Sequence, residues 1–189
     1  MSGSIIVLVV LGLVVVIALL WAIVTYNLLI RARNEVRNAW AQIDVQLKRR
    51  HDLIPNLVET VKGYAAHERG TFENVTKARN IAMQARTAAE ASKAETALSN
   101  ALGQLYVVVE NYPDLKANQN FLALQEELSS TENKIGFARQ YYNDRVMSYN
   151  TSLQSVPTNV IAGMFRFAQA DLFELQIAAE REAPQVKFT

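Results

Sequence analysis

A stripe of large, mostly apolar residues runs along the first third of the chain and predicts one long helix. It advances in alternating steps of three and four residues, the spacing that keeps side chains on one face of an α-helix. Its members are Tyr26, Leu29, Arg33, Val36, Trp40, Ile43, Leu47, Arg50, Ile54, Leu57, Val61 and Tyr64. Because the stripe keeps its phase through Pro55, we expect a single helix ending near Ala66. We expect it to be kinked at Pro55, with neighbouring helices compensating for the backbone hydrogen bond that proline cannot make.

An uncharged apolar run, Ile5 to Val24, precedes the stripe and predicts a membrane span. At about 1.5 Å per residue it crosses the roughly 30 Å hydrocarbon core of a bilayer. Trp21 and Tyr26 lie where aromatic side chains meet lipid headgroups. A cleaved signal peptide is the alternative, but no basic residue precedes the run and no small-residue cleavage site follows it. We therefore expect residues 1–25 to form an uncleaved, single-pass transmembrane helix.

Basic residues flank this span on one side only. The leading segment MSGS has no Lys or Arg, whereas Arg31, Arg33 and Arg37 follow the span. Because basic residues are enriched on the cytoplasmic side of membranes, the asymmetry predicts a cytoplasmic C-terminal domain. The same three arginines are the candidate contacts to lipid headgroups.

A second heptad pattern predicts a helix that opens after Gly70, with Thr71 as its N-cap. The pattern crosses an alanine-rich stretch at 82–97, where we expect any local break to lie near Ser92. It resumes at Leu98, Leu102, Leu105, Val109 and Tyr112. A turn around Pro113 then ends the pattern.

The third pattern, from Phe121 to Leu153, predicts another long helix that stops at Pro157, with a shorter fourth helix running to about Leu175. Short connections between long helices make neighbours antiparallel. The predicted fold is therefore all-α: a transmembrane helix continuing into an elongated antiparallel bundle of three long helices and a shorter C-terminal one. The bundle is expected to span residues 26–182, followed by an extended tail at 183–189.

Charge and composition remove several classes of function. The 189 residues carry 19 Lys plus Arg against 18 Asp plus Glu, a net charge of +1, so nucleic acid is not an expected partner. The absence of cysteine excludes thiolate nucleophiles and zinc–thiolate sites. The two histidines form neither a Glu-x-x-His nor a His-Glu-x-x-His motif. We therefore predict no catalytic residue, no metal and no cofactor.

A charged run, QLKRRHD at 46–52, interrupts the apolar stripe. Part of it is typical of helix surfaces, because Asp44 lies four residues before Lys48 and Arg49 can reach Asp52. Arg50 is different because it falls in the stripe itself. It can form a buried ion pair that fixes helix register, or it can contact another protein. The candidate protein-interaction residues are Lys48, Arg49, Arg50 and Asp52.

Polar side chains also recur near the apolar seam of the third helix. They are Asn118, Asn120, Asn133, Asn143 and Asn150, with Tyr142 and Tyr149. Buried amides that hydrogen-bond between helices specify their alignment. The same residues could equally line a boundary between subunits.

Several segments closely resemble the LemA family of bacterial proteins. They are AWAQIDVQLKRRHDLIPNLVETVKGYAAHE at 39–68, YPDLKANQNF at 112–121, LQEELSSTENKI at 124–135, YND at 142–144 and YN at 149–150. The resemblance implies an N-terminally anchored bacterial membrane protein with a helical bundle, and no agreed catalytic residues or cofactor. Combined with the arginine asymmetry, it implies the inner membrane as the location.

These observations favour a non-enzymatic scaffold or protein-interaction module in the lipid bilayer, self-associating into a homo-oligomer. Self-association is expected because the stripe at Tyr26 and Leu29 would have nothing to cover it in an isolated helix, and because a short fourth helix leaves apolar bundle surface uncovered. The alternative is an adaptor or regulator of a membrane enzyme such as a protease or kinase, with the Lys48–Asp52 face as its docking site. No residue pattern supports a hydrolase or a metal enzyme.

Overall fold

The computed structural model describes residues 2–174, and this part of the chain contains six helices and no strand, as the all-α prediction requires. Their bounds are α1 Ser2–Lys62, α2 Arg69–Ala82, α3 Ala88–Val109, α4 Pro113–Lys116, α5 Gln119–Gln154 and α6 Thr158–Met164. The predicted tail at 183–189 and the last part of the predicted bundle lie outside the described residues.

Helix α1 is continuous for 61 residues and contains Pro55, as the unbroken phase of the stripe predicted. From Leu29 to Val61 the apolar members of the stripe other than Trp40 are buried, and Ile43 and Leu57 are completely so. The helix ends at Lys62, four residues before the predicted end near Ala66. Tyr64, the last member of the predicted stripe, therefore lies beyond the helix and is exposed.

The predicted second helix is two helices, and the position expected for its break was wrong. Helix α2 begins at Arg69, with Glu68 and not Thr71 at the N-cap position. The chain then leaves the helix at Met83 and begins α3 after Thr87, so Ser92 lies inside a helix. A capping box explains the restart, because the Thr87 hydroxyl accepts from the Glu90 N–H and the Glu90 carboxylate accepts from the Thr87 N–H.

The predicted fourth helix is shorter than expected. Helix α6 ends at Met164, and the following residues to 174 are not helical. Arg166 ends the helix by adopting a left-handed backbone with φ of 54°. Its N–H donates to the carbonyl of Gly163 and the Phe167 N–H donates to the carbonyl of Ala162, the two bonds of a Schellman C-cap. A residue other than glycine occupies the left-handed position, so composition did not reveal this stop.

The chain divides into two compact units. The first unit comprises residues 1–39 and 143–170, and its buried side chains include Leu29, Val36, Val146, Leu153 and Ile161. The second unit comprises residues 40–142 and the chain from 171 onward, and its core includes Ile54, Leu57, Val75, Leu98, Leu105 and Leu128.

Candidate functional site

A buried cluster of charged side chains lies in the second unit, centred on Arg50 of α1. The side chain of Arg50 is only 5% exposed. Its Nη1 donates to Glu95 Oε2 of α3 over 2.6 Å, and its Nη2 donates to Ser99 Oγ over 2.9 Å and to Glu132 Oε1 of α5 over 3.0 Å. One guanidinium thus joins three helices through charge-assisted hydrogen bonds.

The carboxylate of Glu95 also holds His51. The Nε2 of His51 lies 2.6 Å from Glu95 Oε1, and both side chains are buried. An ionised carboxylate only accepts hydrogen bonds, so the imidazole N–H donates here. Sequence reasoning placed His51 in a charged run and did not identify Glu95 at all. The available signal was that Glu95 lies three residues before Leu98, in phase with the apolar face of α3, as Arg50 does on α1.

Next to this cluster, a side chain compensates for the proline inside α1. In an uninterrupted helix the carbonyl of His51 would accept the N–H of residue 55, but Pro55 has none. The Nε of Arg79, on α2, donates to that carbonyl over 2.6 Å. The expectation that a neighbouring helix compensates at Pro55 is therefore confirmed.

The four candidate interaction residues do not share one environment. Lys48 and Asp52 are exposed, and the exposed Arg49 forms an ion pair with Glu127 of α5. Within residues 2–174, no ion pair joins Asp44 to Lys48 or Arg49 to Asp52. Arg50 is buried, so its assignment to an interaction surface is corrected in favour of the buried ion pair.

A groove between α3 and α5 runs beside the Arg50 cluster. Gly103 and Gly136 line it, and a Cβ on either glycine would meet no atom within 4 Å. Tyr106 also lines the groove. Burial raises the pKa of Tyr106, the nearby Glu132 carboxylate raises it further, and the Arg50 guanidinium opposes them. The contacts of Arg50 in the cluster are hydrogen bonds that join α1, α3 and α5.

The described part of the chain contains no cluster of side chains suited to bind a metal ion. Over residues 2–174, no group of three or more His, Asp or Glu side chains is placed to hold an ion. His51 is engaged by Glu95, and His67 is exposed at a turn.

An exposed apolar groove lies between α1 and α5 in the second unit. Val45 of α1 and Phe137 and Tyr141 of α5 line it, and Phe137 is 75% exposed. Its remaining lining residues are Ala41, Gln42, Gln46, Lys134 and Ala138. We call this the Phe137 groove. It carries one charged residue, Lys134.

In the first unit, aromatic side chains cover the start of the stripe. The ring of Tyr26 packs against the rings of Phe165 and Phe167, at centroid distances of 4.7 and 5.8 Å. Leu29 is 2% exposed. The expectation that Tyr26 and Leu29 would have nothing to cover them is therefore wrong, because the segment after α6 covers Tyr26 and Leu29 is buried within the chain.

The three candidate lipid-contacting arginines also lie in the first unit. Arg31 and Arg37 are exposed. Arg33 is half-buried, and its guanidinium lies over the Phe167 ring, 5.3 Å from the centroid. This cation–π contact occupies one face of Arg33.

Several of the polar residues of the third predicted helix hold the chain that follows α6. In the first unit, Asn150 donates to the carbonyl of Ala170 and accepts from its N–H, each over 2.9 Å, and the Tyr149 hydroxyl donates to the Ala168 carbonyl. In the second unit, the Tyr142 hydroxyl donates to the Asp171 carbonyl over 2.8 Å. Burial raises the pKa of both tyrosines.

The N-terminal part of α1 has the properties of a membrane span. Among the described helices it is the one long and apolar enough to cross a bilayer, and within residues 2–174 no other segment covers its apolar part. A core helix of a soluble protein would instead be covered.

Comparisons with known proteins identify the family and several relatives. The model of the LemA family matches residues 39–188. Protein LemA of Metamycoplasma hominis is 28% identical over 164 residues, covering 85% of this chain and 71% of that protein. Magnetosome protein MamQ 2 of Paramagnetospirillum magneticum is 24% identical over 181 residues, covering 82% of this chain and 66% of that protein. Magnetosome protein MamQ of Magnetospirillum gryphiswaldense is 21% identical over the same length.

Proposed function

We propose that this chain, which belongs to the LemA family, is a non-enzymatic scaffold anchored in the membrane by α1 and assembled from copies of itself. The observation that carries the proposal is the Phe137 groove, where the side chains of Val45, Phe137 and Tyr141 are exposed on adjoining faces of α1 and α5. The charged cluster at Arg50 supports a structural reading, since its groups bind one another across three helices.

A second copy of the chain suits the Phe137 groove because of its chemistry. Interface cores are depleted in charge and enriched in aromatic residues, and this groove has two aromatic side chains and one lysine. A two-fold pairing would place Phe137 of each copy against the groove of the other, burying the same surface twice. Tyr26 offers no uncovered apolar surface for assembly, because Phe165 and Phe167 pack against it.

The proposed location is the bacterial inner membrane, with the helical domain in the cytoplasm. Arg31, Arg33 and Arg37 follow the apolar segment, whereas no basic residue precedes it.

Disulfide crosslinking in native membranes tests the assembly. The chain has no cysteine, so a single introduced thiol reports one position. We expect Phe137→Cys to give a covalent dimer on mild oxidation. Ala97→Cys, at an exposed position on α3, is the matched control and should stay monomeric. A monomer at both positions, or equal dimer at both, would overturn the proposal.

The second candidate function is an adaptor for a membrane enzyme such as a protease or kinase. It is favoured by Lys48 and Asp52, which are exposed on α1 and form no ion pair with any residue of the described chain. Charge reversal by Lys48→Glu separates the two functions. Loss of a copurifying membrane protein, with self-association retained, would favour the adaptor, whereas an unchanged set of copurifying proteins favours the scaffold.

A further inference from the structure

Four exposed apolar side chains lie together along the sequence, on α6 and directly before and after it. Val156 is 82% exposed, Val160 59%, Met164 70% and Phe165 53%. Val160 and Met164 lie four residues apart on one face of α6, whose other side buries Ile161 and Ala162, and Val156 and Phe165 flank the helix. We call these four residues the α6 apolar surface. Exposing this much apolar surface to water is unfavourable for a short helix.

Ring contacts place this surface beside the end of the membrane span. Tyr26 lies two residues after the apolar run that ends at Val24, at the position where a helix enters the headgroup layer. The Phe165 ring is 4.7 Å from the Tyr26 ring. The C-terminal end of α6 therefore lies within one side-chain contact of the point where α1 leaves the hydrocarbon.

Helix geometry gives the same level for the end of α5. Glu35 of α1 and Arg145 of α5 form an ion pair at 3.3 Å. Tyr26 lies nine residues before Glu35, and Gln154, the last residue of α5, lies nine residues after Arg145. At about 1.5 Å per residue each path covers roughly 13 Å, and the two paths run the same way because α5 leads to the residues that contact Tyr26. Val156 therefore lies at or beyond the level of Tyr26.

Charge on this part of the first unit suits an anionic membrane surface. Residues 1–34 and 146–170 contain no Asp or Glu. Their basic residues are Arg31, Arg33 and Arg166, and of these Arg31 and Arg166 are exposed. Arg166 follows Phe165 directly, so a cation adjoins the apolar side chains, as in segments that lie in the membrane interface.

We propose that the α6 apolar surface inserts into the headgroup–acyl boundary of the bilayer that α1 crosses, with Arg31 and Arg166 against anionic headgroups. The chain then contacts the membrane twice, once through α1 and once through this monotopic surface. The second contact fixes the tilt and rotation of the first unit on the membrane, which a single span cannot do. This inference rests on the part of the proposed function that places α1 in the membrane.

Fluorescence quenching by lipids brominated on their acyl chains tests the contact in the full chain reconstituted in vesicles of phosphatidylcholine and phosphatidylglycerol. With both native tryptophans replaced by Phe, Met164→Trp or Val160→Trp supplies a single reporter. The matched control is Met147→Trp, an exposed position on α5 seven residues before Gln154 and thus about 10 Å farther from the bilayer. A chain retaining only Trp21 reports whether α1 is inserted.

We expect quenching of Trp21 and of the reporters at 160 and 164, with little quenching at 147. Quenching of Trp21 with none at 160 and 164 would overturn this inference and leave the membrane anchor intact. Absence of quenching at Trp21 would overturn the anchor and with it this inference. Protection of the reporters at 160 and 164 from lipid, combined with crosslinking between copies through Met164→Cys, would assign the surface to a second copy and also overturn the proposal.

Discussion

The Nε of Arg79 donates a hydrogen bond of 2.6 Å to the backbone carbonyl of His51, on a different helix. This carbonyl is the one that Pro55 deprives of its helical partner, because proline has no N–H. A side chain of α2 therefore stabilises α1 at its proline, and the proline in turn gives α2 an acceptor. The carbonyl of His51 therefore has a hydrogen-bond donor although α1 contains a proline four residues later.

A double-mutant cycle tests whether Arg79 compensates for the missing N–H of Pro55. Arg79→Leu should lower the free energy of unfolding by about 1–3 kcal/mol, because it leaves the buried carbonyl of His51 without a donor. In a Pro55→Ala background the same change should cost about 1 kcal/mol less, since the alanine N–H restores the helical bond. Urea unfolding of the full chain in detergent, followed by Trp40 fluorescence with Trp21 replaced by Phe, measures both.

Arg69→Leu is the matched control for the cycle, because Arg69 is an exposed arginine at the start of α2. It should change stability little in either background. Equal costs for Arg79→Leu with and without Pro55 would show that Arg79 does not compensate for the proline.

The buried cluster predicts that removing one partner of the Arg50–Glu95 ion pair lowers stability more than replacing both partners with apolar residues. Glu95→Leu leaves Arg50 buried without its closest carboxylate and should cost about 3–5 kcal/mol. The double variant Arg50→Met with Glu95→Leu should cost clearly less than the sum of the two single changes. Glu127→Leu, which breaks the exposed pair with Arg49, should cost at most about 1 kcal/mol. Additive costs at Arg50 and Glu95 would contradict their direct coupling.

The capping box at the start of α3 predicts that its removal destabilises the fold at neutral pH. It also predicts that the contribution of Glu90 to stability depends on pH. Thr87→Ala removes the side-chain acceptor of the cap and should lower stability by about 1 kcal/mol. Hydrogen bonds from the Arg86 and then the Thr87 N–H lower the pKa of Glu90 below its ordinary value of 4.5. Because the folded state favours the ionised carboxylate, this contribution is present above the unfolded pKa and is lost as pH falls through the folded one.

The stability difference between wild type and Glu90→Gln should therefore shrink as the pH is lowered below about 4.5. Unfolding curves of both chains at neutral and acidic pH measure this difference. A difference that stays constant over that range would show that ionised Glu90 makes no contribution to the cap.

Residues far apart in sequence explain why some features could be predicted and others could not. The phase of the stripe through Pro55 predicted a continuous α1, because helical periodicity is a local property. Arg79 could not be identified as the compensating residue, since it lies 28 positions away and only the packing of α2 brings it to His51. The partners of Arg50 were hidden for the same reason, although its place in the stripe indicated that partners exist.

The region after α5 could not be predicted from sequence periodicity. The sequence pattern indicates that Asn150, Tyr149 and Tyr142 align helices or line a subunit boundary, whereas in the structure they bind backbone groups of a non-helical segment. Sequence patterns reveal elements whose buried side chains recur at a regular spacing. A segment that is held through its backbone groups has no such spacing. Arg166 in a left-handed conformation likewise ends α6 without the glycine that normally marks such a stop.

Self-association through the Phe137 groove is the central claim of the scaffold proposal, and the mass of the full chain in a native lipid nanodisc or mild detergent tests it most directly. We expect the wild-type chain to have the mass of two or more copies. Phe137→Glu, which places a charge in the groove, should reduce that mass to one copy while the helical content stays unchanged. A wild-type chain with the mass of one copy, or an assembly that survives Phe137→Glu, would contradict the account.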